Sequence, residues 1–198
     1  LLSLEPDRLL ARFRVEAGLP ARGKCYPGWE DVQLPGVGAG FYLSGCSRLY
    51  AATGDSRFLD RVHYMLDDLE ACQKANGGGF LLATKNGKQL FTEIERGDIR
   101  LGGGWYLNGQ PEPYYAMEKL FSGLRDAWRV AGASKGLSIA VDLVNWLDGH
   151  LSHLSPEQMQ QIMVCEFGGM NWVLADLYAD TGDPRYLALS RRWDDKVM

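Results

Sequence analysis

The chain has 198 residues, of which 46% are hydrophobic and 23% charged, and its formal net charge is -4 at pH 7. This composition and length are typical of one globular domain with a hydrophobic core. No stripe of Lys and Arg is present to neutralise phosphates, which excludes an electrostatic case for nucleic acid binding. The apolar runs are shorter than the roughly 18 residues that a membrane span requires, so we expect no membrane partner.

The N-terminal segment and the cysteines say little about the compartment. Residues 1–8 lack the basic stretch and following apolar stretch of a signal peptide, and they lack an initiator Met. Cytoplasmic location and export after processing therefore both stay open. The cysteines at positions 25, 46, 72 and 165 form no CxxC pair and fit no zinc-finger spacing. We expect buried free thiols, as in a reducing compartment.

A short pattern occurs repeatedly along the chain. Residues 49–59 read LYAATGDSRFL, residues 177–187 read LYADTGDPRYL, and a degenerate third copy lies at 127–135. In the two clear copies Gly ends one helix, because it adopts the left-handed conformation easily, and Asp55 or Asp183 caps the next. Each copy therefore predicts two helices joined by a tight turn.

Apolar residues at helical spacing flank these turns. Two further helices are predicted at 6–17 and 156–165, the second with Ser155 as its N-cap. The face expected to be apolar before the first turn consists of Phe41, Leu43, Cys46, Leu49 and Tyr50.

Consecutive helical hairpins build either an open solenoid or a closed α/α toroid. A closed ring needs about six hairpins, and the chain offers three and an N-terminal helix. We therefore predict an all-α fold that forms about half of an (α/α)6 toroid. Residues 1–198 would be a single domain, truncated at the C-terminus a few residues into an outer helix at 194–198.

Residues 77–112 differ from the rest and are predicted to form a long Gly-rich loop. Asn86-Gly87 lies between short apolar runs and indicates a short β-hairpin within it. A loop of this length in a compact domain usually has a function. The chain also has six Trp and nine Tyr, and such rings either stack on sugars or pack in the core. The aromatic candidates for stacking a ligand are Trp29, Trp105, Tyr106, Tyr114, Tyr115 and Trp172.

Several stretches, in matching order and spacing over nearly the whole chain, resemble glycoside hydrolase family 127, the β-L-arabinofuranosidase-like proteins. They are residues 41–44 with 49–55, 96–100, 107–109, 119–124, and 166–171 with 173–178.

The resemblance implies an (α/α)6 barrel with further β domains and a retaining glycosidase. It also implies a cysteine nucleophile held as thiolate by zinc, and a glutamate that protonates the departing oxygen. In the family these groups lie in later segments, beyond residue 198 here, and the four cysteines of this chain do not match them. We therefore expect no catalytic residue, no metal ligand and no cofactor within this chain.

The resemblance fails at positions expected to face the pocket. Val37, Phe41, Glu118 and Phe167 stand where the family has histidines, and Trp172 stands where it has a glutamate. Valine and phenylalanine offer sugar hydroxyls no hydrogen-bond partner. Such a pocket should bind an arabinofuranoside poorly, or bind a more apolar ligand.

Paired carboxylates could perform acid/base chemistry on a glycoside. Glu166 and Glu118 are the best candidates, because both lie near the beginnings of predicted inner helices. Glu30, Asp31 and Asp98 are further candidates, and each of the five also has the ordinary interpretation of a solvated or capping group. The predicted substrate-binding set is Glu166, Glu118, Trp105, Tyr115, Asn171 and Trp172. The histidines, expected at the surface, are His63, His150 and His153.

Two functional hypotheses follow from these observations. The first is a glycoside hydrolase domain whose intact parent hydrolyses L-arabinofuranosides, while this chain lacks catalytic residues. The second is a non-catalytic α/α module that binds a carbohydrate or an apolar ligand, or serves as a scaffold. Half of a toroid exposes apolar seams. Besides a carbohydrate ligand, we therefore expect self-association or packing against a C-terminal half.

Overall fold

The computed structural model describes residues 1–196 and confirms the all-α prediction. The helices are α1 (Pro6–Glu16), α2 (Val37–Thr53), α3 (Ser56–Asn76), α4 (Gly87–Glu95), α5 (Pro113–Arg129), α6 (Lys135–Leu151), α7 (Pro156–Met163), α8 (Met170–Thr181) and α9 (Pro184–Arg191). A π-helical turn, Trp29–Gln33, precedes α2, and strands β1 (Tyr106–Leu107) and β2 (Gln110–Pro111) pair antiparallel before α5. Among these residues, no helix has the length and apolarity to cross a membrane.

The repeated pattern folds as the sequence predicts. Gly54 and Gly182 end α2 and α8 in the left-handed conformation, at φ 70° and 76°. The Asp55 and Asp183 side chains then cap α3 and α9, each accepting a backbone N–H bond of 3.0 Å. In the degenerate copy Gly132 takes φ 73° between α5 and α6. Three helical hairpins result within residues 1–196, and Ser155 caps α7 with a complete capping box.

The hairpins stack side by side in two layers. Helix α5 contacts α2 on one side and α8 on the other, so these three helices form one layer, called the inner layer below. Helix α3 contacts α1 and α6 in a second, outer layer, while α9 packs on α8. The main hydrophobic core lies between the layers and includes Leu43, Met65, Leu66, Leu120 and Leu143.

The inner helices α2 and α5 touch backbone to backbone. A Cβ atom on Gly40 would lie 2.1 Å from the carbonyl oxygen of Lys119, and one on Gly123 would lie 2.5 Å from the carbonyl oxygen of Gly40. Real Cβ atoms do not approach other atoms this closely, so only glycine fits at either position. This reciprocal pair fixes how α2 and α5 cross.

The expected hairpin at Asn86-Gly87 is wrong, because Gly87 begins helix α4. Leu90, Phe91 and Ile94 are all buried on one face of that helix. Their spacing of one, three and four residues fits the helical period and not the alternation of a strand. The segment predicted as one long loop therefore contains a helix.

The short hairpin of the Gly-rich segment forms instead at Asn108-Gly109, where φ is 48° and 76°. The Asn108 amide donates to Glu93 Oε2 at 3.0 Å and accepts from the Arg100 N–H at 2.8 Å. Arg100 also binds Glu93 at 2.6 Å and pairs with Asp98. The hairpin is thereby tied to the end of α4.

The prediction that all three histidines lie at the surface is wrong for His150. His63 and His153 are exposed, but His150 is 6% exposed and stacks parallel to Trp146 at 5.1 Å between ring centroids. Burial lowers the pKa of His150 to about 4, so its ring is neutral near pH 7. Its helix α6 turns this face toward α4 and the core.

The end of the described chain differs from the expected outer helix at 194–198. Helix α9 ends at Arg191, and residues 194–196 lie outside any helix. Trp193 is fully buried against the ring of Tyr114, at 4.7 Å between centroids. Residues 197 and 198 lie outside the described part.

The glycine contact between α2 and α5 predicts a large stability effect. Gly40→Ala should lower the free energy of unfolding by about 3 kcal/mol or more, because the backbones must separate. The matched control is Gly149→Ala in α6, where a Cβ atom meets nothing within 4 Å. That variant should gain up to about 1 kcal/mol from helix propensity. Urea unfolding measures both, and equal stability of the two variants would contradict the contact.

Candidate functional site

A pocket of about 300 Å³ opens on the inner layer between α2, α5 and α8. Phe41 from α2 and Trp172 from α8 are 55% and 49% exposed and supply aromatic surface at its sides. Phe41 therefore does not belong to the buried face of α2 that the sequence suggested. The remaining lining residues, which are all polar or charged, are Ser44, Arg48, Glu118, Lys119, Ser122, Arg125 and Asp126.

The most buried polar group of this inner pocket is the carboxylate of Glu118, whose exposed fraction is 0%. Its Oε1 accepts a 2.9 Å hydrogen bond from the Ser122 hydroxyl, and its Oε2 lies 2.5 Å from the Lys119 ammonium. The same ammonium lies 4.6 Å from the centre of the Tyr115 ring, a cation–π contact. Glu118 and Lys119 thus form a buried ion pair at the base of the pocket, between the walls made by Phe41 and Trp172.

The arginines of the inner pocket are also paired. Arg48 binds Asp126 at 2.9 Å, linking α2 to α5. Arg125 binds Asp176 at 2.7 Å and Asp180 at 2.5 Å, linking α5 to α8. Because the cations lining the pocket already have carboxylate partners, the pocket offers polar groups without an excess of either charge. This arrangement suits a neutral, polar ligand.

The Trp172 ring is placed by the glycines that precede α8. A Cβ atom on Gly169 would lie 1.5 Å from the indole Nε1, so the ring occupies space that only glycine leaves free. A Cβ atom on Gly168 would lie 2.8 Å from Glu118 Oε2, which brings this loop directly over the buried carboxylate. Gly168 and Gly169 therefore determine where the Trp172 wall stands and how closely the loop covers Glu118.

Two further carboxylates lie together on the loops beside the inner pocket. Exposed Glu166 accepts a 2.8 Å bond from the Gly168 N–H. Burial first, and then the charge of Glu166, raise the pKa of Glu112. The Glu112 N–H donates to the Trp105 carbonyl at 3.0 Å, so Trp105 belongs to the same rim. No sequence pattern pointed to Glu112.

A comparison with protein families agrees with this architecture. The family model described as "Beta-L-arabinofuranosidase, GH127 catalytic domain" matches residues 1–198. The chain belongs to this family. It is therefore a glycoside hydrolase-like domain of the arabinofuranosidase type, as the sequence motifs indicated. A search of curated proteins found none that matches the chain.

The six residues expected to bind substrate in this GH127 domain occupy four kinds of place. Glu118 and Trp172 line the inner pocket, and half-buried Tyr115 lies under Lys119. Glu166 and Trp105 lie on the neighbouring loops. The sixth residue, Asn171, is exposed, and its side chain accepts from the Trp172 N–H at 2.8 Å.

Sequence reasoning missed several polar residues of the pocket. Lys119, Ser122 and Asp126 follow Glu118 at one, four and eight positions, which places all four along one face of a helix. Met117, Leu120 and Leu124 form the buried face of the same helix. The pocket-lining residues of α5 could therefore have been predicted from this polar face, once α5 was known to belong to the inner layer.

Of the four positions where the family has histidines, only two face the pocket. Phe41 and Glu118 line it. Val37 is buried in a small apolar cluster with Leu34 and Ala116, and half-buried Phe167 stacks on Trp193 at 5.7 Å. The expectation that all four substitutions alter the pocket surface is therefore wrong for Val37 and Phe167.

The remaining carboxylate candidates have structural partners. Glu30 accepts from the backbone N–H groups of Gly36, at 3.1 Å, and Gly38, so it caps the N-terminus of α2. Burial raises the pKa of Glu30 against the opposing effect of these bonds. Asp31 lies 3.9 Å from Arg12, and Asp98 belongs to the Arg100 network.

The other aromatic candidates differ in exposure. Trp29 is 68% exposed in the π-helical turn, and Tyr106 is 45% exposed in β1. Tyr114 is 1% exposed and packs edge-on against Phe91 and Trp193, so it belongs to the core and not to a stacking surface.

The cysteines do not fit the family's zinc-held nucleophile. Cys46, Cys72 and Cys165 are buried free thiols, and Cys25 is a half-buried one. Burial raises the pKa of Cys72 to about 12 and that of Cys165 to about 11, which disfavours the thiolate that metal binding and attack require. Within residues 1–196 no group of three His, Cys, Asp or Glu side chains could hold a metal ion.

The Glu118–Lys119 pair predicts strong coupling in a double-mutant cycle. Glu118→Gln and Lys119→Met should each destabilise the fold, and the double variant should recover about 1–3 kcal/mol of their summed cost. The control cycle uses exposed Lys74 and half-buried Glu70, whose nitrogen and oxygen are 3.0 Å apart; Glu70 also contacts Lys135, which is kept in all four proteins. Its coupling should be about 0.5 kcal/mol or less. Similar coupling energies in both cycles would argue against a buried pair.

Proposed function

We propose that this domain binds an arabinofuranose-type sugar in the inner pocket, and that the intact parent protein hydrolyses L-arabinofuranosides. In this proposal the residues described here orient the sugar and supply no nucleophile. The observation that carries it is the combination of two exposed aromatic walls, Phe41 and Trp172, over the buried polar pair Glu118 and Lys119.

The chemistry of the pocket supports a sugar ligand. The faces of furanose rings carry C–H groups that pack on aromatic rings, and their hydroxyls need donors and acceptors at the edges. Glu118 and Ser122 can accept from such hydroxyls, and Lys119 can donate to them. Phe41 replaces a hydrogen-bonding group of the family by a ring face. We therefore expect weaker polar recognition and more stacking.

The inactivity of this chain is likewise a proposal. Both oxygens of Glu118 already contact Ser122 and Lys119, which suits an acceptor and not a proton donor. The thiols are buried with raised pKa values, which disfavours nucleophilic attack. The group best suited to acid chemistry is Glu112, because Glu166 and burial raise its pKa.

The binding proposal is tested by titrating residues 1–198 with 4-nitrophenyl β-L-arabinofuranoside in calorimetry. Trp172→Ala should weaken binding about tenfold, since it removes one stacking wall. The matched control is Trp128→Ala, because half-buried Trp128 does not line the inner pocket. Wild-type affinity in Trp172→Ala, or equal losses in both variants, would contradict the proposed site.

The same compound tests the proposed inactivity, because hydrolysis releases a coloured phenolate. The wild-type chain should release it no faster than buffer does. Turnover that disappears in both Glu112→Gln and Glu166→Gln would show that the loop carboxylates catalyse, and the non-catalytic proposal would be wrong.

The exposed aromatic residues also bear on partners. Trp29, Phe41 and Trp172 leave roughly half or more of their surface open. We propose that the inner layer packs against a further part of the toroid or against a second copy of the chain. Sedimentation should then show self-association of residues 1–198, whereas a monomer at all concentrations would count against this packing.

A further inference from the structure

A second pocket, of about 500 Å³, lies away from the inner layer, between the C-terminal end of α3, helix α4 and helix α6. We call it the lateral pocket. Phe80, Phe91 and Trp146 line it, and their rings contact each other edge to face at 4.9–5.9 Å between centroids. Because Phe80 and Phe91 are 3% and 1% exposed, half-buried Trp146 supplies the accessible aromatic surface. Its size falls in the range of small-molecule sites.

Two buried acceptors of the lateral pocket have no hydrogen-bond partner. Asn76 is 9% exposed, and its amide nitrogen donates to the Phe80 carbonyl at 3.1 Å, which fixes the direction of the side chain. Its Oδ1 is left without a partner, and so is the Nε2 of His150, which is 6% exposed. Both residues line the pocket. Buried polar atoms without partners are rare and costly, so each calls for an explanation.

The state of His150 makes its Nε2 an acceptor. Burial favours the neutral ring, which carries one proton. Nδ1 lies 4.0 Å from Glu95 Oε2, too far for a hydrogen bond but close enough for attraction, and we assign the ring proton to Nδ1 on that ground. Nε2 then has a free lone pair. Trp146 on one face and Phe91 at the edge hold the ring in this orientation.

Two other polar groups of the lateral pocket, on Lys88 and Thr92, are already engaged. The Lys88 ammonium donates to the Asn76 carbonyl at 3.2 Å, and the Thr92 hydroxyl donates to the Lys88 carbonyl at 2.8 Å. The Lys88 ammonium offsets the charge of Glu95 on the same helix, so neither an anion nor a cation is favoured. The two unpaired acceptors of this pocket therefore favour a ligand with neutral hydrogen-bond donors that also packs on an aromatic side chain.

We propose that the lateral pocket binds a neutral polyhydroxy ligand of monosaccharide size, whose hydroxyls donate to Asn76 Oδ1 and His150 Nε2. Hydroxyl groups supply the missing donors, and the C–H faces of the ligand pack on the aromatic side chains. A second cavity of about 490 Å³ adjoins this one and shares Asn145 and Trp146 with it. The site can therefore receive either a free sugar or one unit of a longer glycan. This inference does not depend on the function proposed for the inner pocket.

The test is a titration of isotopically labelled residues 1–198, followed by the nuclear magnetic resonance signals of the Trp146 indole and of the Gly77 and Thr92 amides. The probes are L-arabinose, D-glucose and an arabino-oligosaccharide, each up to about 100 mM. We expect saturable shifts of these signals with at least one probe. Tighter binding of the oligosaccharide indicates a glycan unit, and equal affinity indicates a free sugar. If no probe moves them, the pocket holds only water and the proposal is wrong.

Three variants locate the binding. His150→Phe keeps an aromatic ring and removes the acceptor, so affinity should fall at least tenfold, whereas the matched control His153→Phe should leave it unchanged. Gly149→Leu adds a side chain at an exposed helical position that borders the pocket, and should abolish the shifts without disturbing the core. Trp172→Ala should leave the lateral titration intact even if it abolishes binding at the inner pocket. Wild-type affinity in both His150→Phe and Gly149→Leu would overturn the assignment.

Discussion

The contact between Gly40 and Gly123 is the constraint on which the inner layer depends. Each glycine lies against the backbone of the opposite helix at a distance that no side chain could tolerate. The next residue on α2 is Phe41, and the carbonyl that Gly40 approaches belongs to Lys119. The close contact therefore brings one wall of the pocket and its buried ion pair side by side.

The same principle applies at the other wall. Gly168 and Gly169 let the loop before α8 come down over Glu118 and leave room for the Trp172 ring. Glycines thus place aromatic and charged side chains at both ends of the pocket. Salt bridges from Arg48 and Arg125 then connect the three inner helices. The domain belongs to the GH127 family.

Much of the fold could be predicted because its signals are local. A helix ending in Gly followed by a capping Asp is decided by a few neighbouring residues, and Gly54, Asp55, Gly182 and Asp183 behave as expected. The hairpin position was harder, because Asn-Gly occurs three times, at 76–77, 86–87 and 108–109. Asn108 holds its turn through Arg100 and Glu93, which lie 8 and 15 residues away along the chain.

The site was less predictable because it depends on which face of each helix remains exposed after the helices pack together. Phe41 looked like a core residue by its spacing, and His150 looked like a surface residue because its segment was interpreted as an outer helix or a loop. Packing of α2 against α5 exposes Phe41, and packing of α6 against α4 buries His150. Lys119 contributes to the pocket because its ammonium pairs with Glu118 and lies over the Tyr115 ring. The sequence of one helix does not predict these exposures and contacts, since each depends on how that helix packs against a second helix.

We propose that α2, α5 and α8 together form one sugar-binding pocket. The most direct measurement is a crystal structure of residues 1–198 soaked with an arabinofuranosyl ligand at saturating concentration. We predict a sugar ring between Phe41 and Trp172, with a hydroxyl within hydrogen-bond distance of Glu118 or Lys119. Saturated binding in solution with no sugar at this pocket in the crystal would contradict the account.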